Sequence, residues 1–168
     1  MLRRGLGLAA AVVVADQATK WAAYTGLTGL AFWDPAPDPL PRAPGVEVTS
    51  FFNLVTVWNF GVSFGMFNRG SDEAAWVFAT IAAAITAVLV VWLRRAPNLL
   101  VTLALGAVIG GAVGNVIDRL RFGAVFDFLD VHAAGWHWPA FNIADAAIAI
   151  GVGLLLLDAL LAPKSSAK

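Results

Sequence analysis

The sequence predicts an all-α integral membrane protein of four spanning helices with a small β-sheet at the membrane surface. Of its 168 residues, 60% are apolar and only 13% are charged, and its mean hydropathy is +0.77. This composition is far more apolar than that of a soluble domain. Backbone groups in lipid must be satisfied within the segment, which favours helices. The apolar runs long enough to cross a hydrocarbon core of about 30 Å are residues 5–24, 74–93, 99–117 and 143–161.

The first run begins MLRRGLGLAAAVVVADQ, which has the basic start, apolar centre and small residues of a cleavable signal peptide. Apolar character resumes over residues 21–24, however, and gives the run a full spanning length. We therefore expect a retained helix. Asp16 and Lys20 lie four residues apart on one face of it, where their charges partly neutralise each other.

The segment between the first two runs has two parts. Residues 33–45 hold five of the eight prolines, which favours an irregular extended chain. Residues 46–58 are rich in valine, threonine and aromatic side chains, which favours strands. The following NFGVSFGMFNRG, residues 59–70, is too apolar for free solvent. A small sheet lying on the membrane surface accommodates these features.

Positive charges flank the spans on one side, and the positive-inside rule places that side in the cytoplasm. We therefore expect one membrane domain over residues 1–168, with both termini and the turn 94–98 in the cytoplasm. The segments 25–73 and 118–142 are then the outer ones. The flanking cations are Arg3, Arg4, Arg94, Arg95, Lys164 and Lys168.

The composition excludes several kinds of site. Without cysteine, the chain has no disulfide, thiol nucleophile or cysteine metal site. His132 and His137 lack a convergent third ligand, so we interpret them as interfacial residues and expect no metal. No Ser/Lys or Ser/His arrangement typical of a nucleophilic enzyme is recognisable among the polar residues of the spans.

Two polar pairs stand where lipid favours methyl groups. Asn115 and Asp118 end the third run, and Asn142 and Asp145 begin the fourth; each pair is three residues apart on one helical face. Because the third helix runs outward and the fourth inward, both pairs fall at the same depth near the outer leaflet. Helix capping by Asn142 and the helix dipole at Asp145 explain the second pair alone. They do not explain why another Asn/Asp pair stands beside it.

Ionisable groups within spans usually face a bundle interior or a cavity, which makes them functional candidates. Carboxylates dominate them, and two carboxylates in a low-dielectric cavity tend to share one proton. One can then activate water while the other polarises a carbonyl, as in an aspartyl protease. Helical spacing pairs Asp118 with Asp145. The candidates are Asp16, Asn59, Asn115, Asp118, Arg119, Asp127, Asn142 and Asp145.

The residues alone leave other functions open. The same carboxylates suit a proton or cation pathway, although the spans carry almost no polar residues toward the cytoplasmic side to continue it. A noncatalytic scaffold whose outer sheet binds partner proteins is a further alternative. For Asp118 and Arg119, adjacent at a helix end, an ion-paired structural boundary is an equal alternative to a functional role.

The motif set resembles one family, the lipoprotein signal peptidases or signal peptidase II, which are bacterial membrane aspartyl proteases. The matching stretches occur in the family's order and extend over all four helices. They are DQATK (16–20), WNFGVSFGMF (58–67), GGAVGNVIDRL (110–120), VFDFLDV (125–131) and PAFNIADAAIAIG (139–151).

The resemblance implies four transmembrane helices, a small periplasmic sheet or cradle, and a short periplasmic helical element. It implies removal of the signal peptide from lipid-modified prolipoproteins just before a diacylglyceryl-modified cysteine. It also implies a monomer in the bacterial inner membrane, in contact with membrane lipid, with no cofactor, metal or nucleic-acid partner.

The resemblance also assigns residues. Asp127 and Asp145 match the catalytic aspartate pair, so the family pattern and helical spacing differ over the partner of Asp145. The residues that match supporting or substrate-positioning positions are Asp16, Lys20, Asn59, Asn115, Asp118, Arg119 and Asn142. Asp130 recurs in such sequences without a role that its chemistry explains.

Two features depart from the family pattern. The proline-rich residues 33–45 are long for the first outer segment, and GVSFG stands where GAAFG is frequent. Neither touches the proposed aspartate pair, but both bear on the shape of the cradle.

Overall fold

The computed structural model describes residues 1–61 and 72–161 and shows a mostly helical protein with one small antiparallel sheet. Residues 62–70 of NFGVSFGMFNRG, and with them most of the WNFGVSFGMF stretch, lie outside the described residues, as do Lys164 and Lys168. In chain order the elements are α1 (Leu2–Thr28), β1 (Val46–Thr49), β2 (Phe52–Asn59), α2 (Asp72–Leu93), α3 (Leu99–Phe122), β3 (Val125–Ala133), β4 (Trp136–His137) and α4 (Ile143–Leu161).

The helices agree with the predicted runs but extend further at several ends. α1 ends at Thr28 rather than at residue 24, where Gly29 adopts the left-handed conformation (φ 70°) that terminates a helix. α3 continues to Phe122, five residues beyond the predicted end at 117, and ends at Gly123 in the same conformation. Asp118 and Arg119 therefore lie inside the last turns of α3 and not in the outer segment. Among the described residues no helix other than α1 to α4 occurs.

Three helices contain stretches long and apolar enough to cross a membrane, namely Trp76–Arg94, Leu99–Phe122 and Ile143–Leu161. α1 is 27 residues long but carries charges within its length. α3 is central, because it packs against each of the other helices, and it is correspondingly the most buried. α2 and α4 leave most of their apolar side chains exposed, as suits helices that face lipid.

The predicted strands over residues 46–58 are confirmed, and the proline-rich residues 33–45 contain neither helix nor strand. The sheet has the order β1-β2-β3-β4. β3 was missed by the sequence analysis, which treated the region of Asp127 as a loop. Pairing with β2 is antiparallel, with Val57 opposite Asp127, and is interrupted by an irregularity between Leu54 and Val57.

The sheet is fixed to the helices by an aromatic cluster. Tyr24, near the end of α1, is 1% exposed and contacts Phe122 of α3 and Phe126 of β3. Arg121 stacks over the rings of Phe32 and Trp33 and donates to the carbonyl oxygen of Phe32, so it holds the start of the outer segment against the end of α3.

Glycines let the helices approach closely, as their predicted packing role requires. A Cβ atom added at Gly106 or Gly110 of α3 would lie 2.5 or 2.6 Å from a backbone oxygen of α1. One added at Gly111 would lie 2.3 Å from the carbonyl oxygen of Ala144 in α4. At these positions the neighbour is backbone, which cannot move aside cheaply.

Gly111→Ala should therefore destabilise the protein, because the new methyl group forces α3 and α4 apart. We expect a cost of about 1–3 kcal/mol, the usual range for an overpacked interior. The control is Gly153→Ala, since nothing lies within 4 Å of a Cβ atom added at Gly153 of α4. Thermal melting in detergent measures both. Equal melting temperatures for the two variants would contradict the close contact.

Candidate active site

Asp127 lies on β3 and is 1% exposed. Its two carboxylate oxygens accept hydrogen bonds from different amides. Asn142 Nδ2 donates to Oδ1 at 2.7 Å, and Asn59 Nδ2, from the end of β2, donates to Oδ2 at 3.2 Å. The side chain is thus held from two sides by neutral donors.

Asp145 lies in the first turn of α4 and forms a reciprocal cap with Asn142, the residue that precedes the helix. The backbone N–H of Asp145 donates to Asn142 Oδ1 at 3.0 Å, and the backbone N–H of Asn142 donates to Asp145 Oδ2 at 3.3 Å. This arrangement satisfies N–H groups that a helix start leaves without partners. The predicted capping role of Asn142 is confirmed, and it coexists with the contact to Asp127.

Asn115 of α3 connects the two carboxylates. Its Nδ2 donates to Asp145 Oδ1 at 2.7 Å, and its Oδ1 accepts from Asn142 Nδ2 at 3.3 Å. The predicted meeting of the two Asn/Asp pairs at one depth is thereby confirmed for three of their members. Asp127 and Asp145 are bound to opposite ends of one short amide chain.

The environment of Asp127 favours its protonated form. Burial and the nearby charge of Asp145 raise the pKa of Asp127 to about 7, against the opposing effects of the Asn59 and Asn142 hydrogen bonds and of the Lys20 charge. A carboxyl with such a pKa holds a proton for much of the time near neutrality.

A second polar layer lies behind this pair, toward α1. Lys20 Nζ lies 2.8 Å from Asp16 Oδ2 and 2.8 Å from Asp118 Oδ2, and all three side chains are completely buried. The predicted neutralisation of Asp16 by Lys20 is confirmed. Asp118 also accepts from the backbone N–H of Phe126 at 3.1 Å, which fixes the start of β3.

Helical spacing was wrong about the partner of Asp145. Among the described residues the hydrogen bonds of Asp118 go to Lys20, Gln17 and the Phe126 backbone. Spacing along two helices gives depth but not the direction in which a side chain points. Asp118 faces α1, where Lys20 and Gln17 bind it, and Asn115 takes the position beside Asp145.

Arg119 and Asp130 lie outside the core of the site. The Arg119 guanidinium donates to the carbonyl oxygen of Asn115 at 3.2 Å, one turn back on its own helix. Asp130 pairs with Asn53 Nδ2 at 2.8 Å and with His137 Nδ1 at 2.8 Å, so it joins the strands of the sheet. Burial opposes ionisation of Asp130, but the His137 and Asn53 hydrogen bonds outweigh it and lower its pKa.

Some partners were missed by the sequence analysis. Gln17 donates from Nε2 to Asp16 at 3.2 Å and to Asp118 at 3.0 Å. Its position next to Asp16 inside an apolar run was the available signal. The backbone N–H of Ala144 donates to Asp16 Oδ1 at 3.0 Å. Because the donor is backbone, the residue types in the sequence do not indicate this contact. Within residues 1–61 and 72–161, no cluster of three His, Asp or Glu side chains suited to a metal occurs.

The fold and this site define a multi-helix membrane protein with an amide-bridged pair of carboxylates, of which Asp127 is buried and Asp145 is half-buried. Residues 8–161 match the family model described as signal peptidase (SPase) II. The chain therefore belongs to the signal peptidase II family.

Curated relatives agree with this membership. The chain is 46% identical over 154 residues to a lipoprotein signal peptidase of Methylobacterium sp. (strain 4-46), covering 92% of this chain and 87% of the relative. It is 44% identical over 158 residues to a lipoprotein signal peptidase of Rhizorhabdus wittichii, covering 94% and 86%.

Solved structures support the fold. Two structures described as a bacterial membrane enzyme determined by the in meso method, at 2.3 Å and 1.9 Å resolution, are each 30% identical to this chain. Their TM-scores are 0.72 and 0.74, and the matches cover 98% and 97% of this chain and 94% of each of theirs.

Two substitutions of Asn142 test the helix cap made by its side-chain oxygen separately from the hydrogen bonds donated by its Nδ2. Asn142→Ala loses the oxygen that accepts from the Asp145 backbone, and we expect it to cost about 1 kcal/mol of stability, as lost caps do. Asn142→Ser keeps an accepting oxygen and should melt close to wild type. Thermal unfolding in detergent compares the variants, and a serine variant as unstable as the alanine variant would argue against the cap.

Proposed function

We propose that the protein is a membrane aspartyl endopeptidase that removes the signal peptide from diacylglyceryl-modified prolipoproteins, cleaving just before the lipidated cysteine. The observation that carries the proposal is the pair Asp127 and Asp145, which is bridged by Asn115 and Asn142. The names of its relatives, lipoprotein signal peptidases, support this substrate class.

The two carboxyls take complementary roles in the reaction. Asp145 accepts from Asn115 Nδ2 and from the Asn142 backbone, both of which stabilise its ionised form, so it acts as general base toward water. Asp127 holds the shared proton and donates it to the carbonyl oxygen of the scissile peptide. Its Oδ2 makes the longer amide contact, 3.2 Å to Asn59, and is the oxygen to which we assign that proton.

Collapse of the tetrahedral intermediate completes the cleavage. The attacking water loses one proton to Asp145, and the resulting diol returns its oxygen proton to Asp127 as the carbonyl re-forms. The proton on Asp145 passes to the departing amine nitrogen, so the pair ends with the one proton with which it began. No covalent enzyme intermediate is required.

We propose that α1 crosses the membrane together with α2, α3 and α4. The charges that reduce its apolar character, Asp16 and Lys20, are paired and buried against α3, so they do not meet lipid. Both termini then lie in the cytoplasm, and the sheet and the carboxylate pair lie at the outer leaflet of the inner membrane. The substrate enters from the bilayer with its acyl chains between helices, and one monomer suffices for the reaction.

A proton or cation pathway is less well supported. The buried ions Asp16, Lys20 and Asp118 satisfy one another. Toward the other end of the bundle, the described residues form an apolar cluster that includes Ala9, Leu93 and Leu105.

Asp127→Asn and Asp145→Asn should each abolish cleavage of a lipid-modified precursor peptide by the purified protein in detergent or lipid. An amide cannot act as general base or share the proton, so we expect a loss of about a hundredfold or more. Asp130→Asn is the matched control, because Asp130 lies on the same strand but pairs with Asn53 and His137. The aspartate assignment fails if either of the first two variants cleaves as fast as Asp130→Asn.

The activity should fall as pH rises through about 7, because burial and Asp145 raise the pKa of Asp127 to that value and the ionised form cannot donate a proton. The Asn59 hydrogen bond lowers this pKa, so Asn59→Leu should move the alkaline limb of kcat/KM to higher pH. The measurement is kcat/KM against pH for both proteins. A limb that stays in place or moves to lower pH would exclude Asp127 as its source.

A further inference from the structure

Lys20 is a buried cation with a complete set of partners inside the protein. It is 0% exposed. Its Nζ lies 2.8 Å from Asp16 Oδ2, 2.8 Å from Asp118 Oδ2 and 3.4 Å from Asn115 Oδ1. An ammonium group has three N–H donors and no acceptor. The contact to Asn115 is therefore the one point at which this cation reaches the chain of amides that bridges the carboxylates.

The side-chain amide of Asn115 has two possible orientations, which exchange its oxygen and its nitrogen. In the observed one, Oδ1 accepts from Lys20 Nζ and from Asn142 Nδ2, and Nδ2 donates to Asp145. In the other, an NH2 group would face the ammonium and the Asn142 NH2 group, and an oxygen would face the Asp145 carboxylate. Every one of these contacts would then join two donors or two acceptors.

We propose that Lys20 is a positioning residue of the reaction, which fixes the Asn115 amide so that its N–H always points at Asp145. The inference rests on the proposed function. Lys20 is too deeply buried to touch substrate, so apart from its charge, which lowers the pKa of Asp127, it acts on the site through its contact with Asn115. Asp145 consequently keeps one oxygen bound to Asn115 and presents the ionised carboxylate in a constant direction toward water.

A purely structural role for Lys20 would depend on its ion pairs and not on its contact with Asn115. The ion pair with Asp118 joins α1 to α3, the ion pair with Asp16 lies within α1, and neither involves Asn115. Buried ion pairs are often replaceable by apolar groups without loss of stability, provided that no single charge is left unpaired. Removing Lys20 together with Asp118 leaves the net formal charge of the cluster unchanged, and the remaining Asp16 carboxylate keeps its hydrogen bonds from Gln17 Nε2 and the Ala144 backbone N–H.

The charges around Asp127 determine how the pH profiles of these variants are interpreted. The ionised groups that face Asp127 are Asp145 from α4, Arg119 from α3 and Lys20 from α1. Behind Lys20 lie Asp16 and Asp118. Because the Lys20 charge lowers the pKa of Asp127, the double replacement should move the alkaline limb of kcat/KM to higher pH, and the positioning effect is the fall in kcat on the acid side of that limb.

The test is a double-mutant cycle between Lys20→Met/Asp118→Asn and Asn115→Ala, with Asp118→Asn alone as the reference for the lost carboxylate. We expect kcat of the lysine variant to fall about tenfold or more with KM unchanged, as for a misplaced catalytic group. In the Asn115→Ala background the same replacement should cause no further loss, because the path through Asn115 is already broken.

Three results would overturn the proposal. Additive losses in the cycle would show that Lys20 acts independently of Asn115. A wild-type kcat for Asn115→Ala would show that the Asn115 amide does not affect turnover, and this result can be obtained even if the lysine variants fold poorly. A kcat of Lys20→Met/Asp118→Asn equal to that of Asp118→Asn would show that the cation is not needed. Cleavage by wild type and loss of cleavage in Asp127→Asn are measured in the same experiment. If both are observed and the cycle still gives one of the three results above, the role of Lys20 is wrong and the proposed function stands.

Discussion

Ala144, in the first turn of α4, is completely buried, and its two backbone polar groups meet both neighbouring helices. Its N–H donates to Asp16 of α1 at 3.0 Å, and its carbonyl oxygen lies where a side chain at Gly111 of α3 would stand. Gly114 leaves room in the same way for the Asp16 carboxylate. This docking of a helix start between two helices fixes the depth and direction of Asn142 and Asp145.

Strand β3 reaches the same point from the side of the sheet. The backbone groups of Leu129 and Phe141 hydrogen-bond to each other, which holds the residue before Asn142 against the strand that carries Asp127. The site is thus built where a strand, a helix start and a helix end meet. The strand contributes Asp127, the helix end contributes Asn115, and the helix start contributes Asn142 and Asp145, so none of these elements could form the pair of carboxylates alone.

The sequence was sufficient to predict the helices, because long apolar runs allow almost no other structure in lipid. It also predicted the meeting of the two Asn/Asp pairs, since depth follows from position along a span. It did not predict β3, because Asp127 and Asp130 stand three residues apart and interrupt the alternation of apolar and polar residues that is typical of a strand. It failed as well on the direction of Asp118, because that direction depends on the packing of α3 against Lys20 and Gln17 of α1.

The proline-rich residues 33–45 form one wall of a cleft of about 1190 Å³ whose other walls are β2 and the end of α3. Arg121 holds the start of this wall by stacking on Phe32 and Trp33, and Trp58 donates from Nε1 to the Pro41 carbonyl oxygen at 2.8 Å. Because this proline-rich wall is already restricted by its prolines and held at these two points, it loses little conformational entropy when an extended peptide lies against it. The cleft is therefore shaped before its occupant arrives, and this chain can recognise a peptide by fit rather than by folding around it.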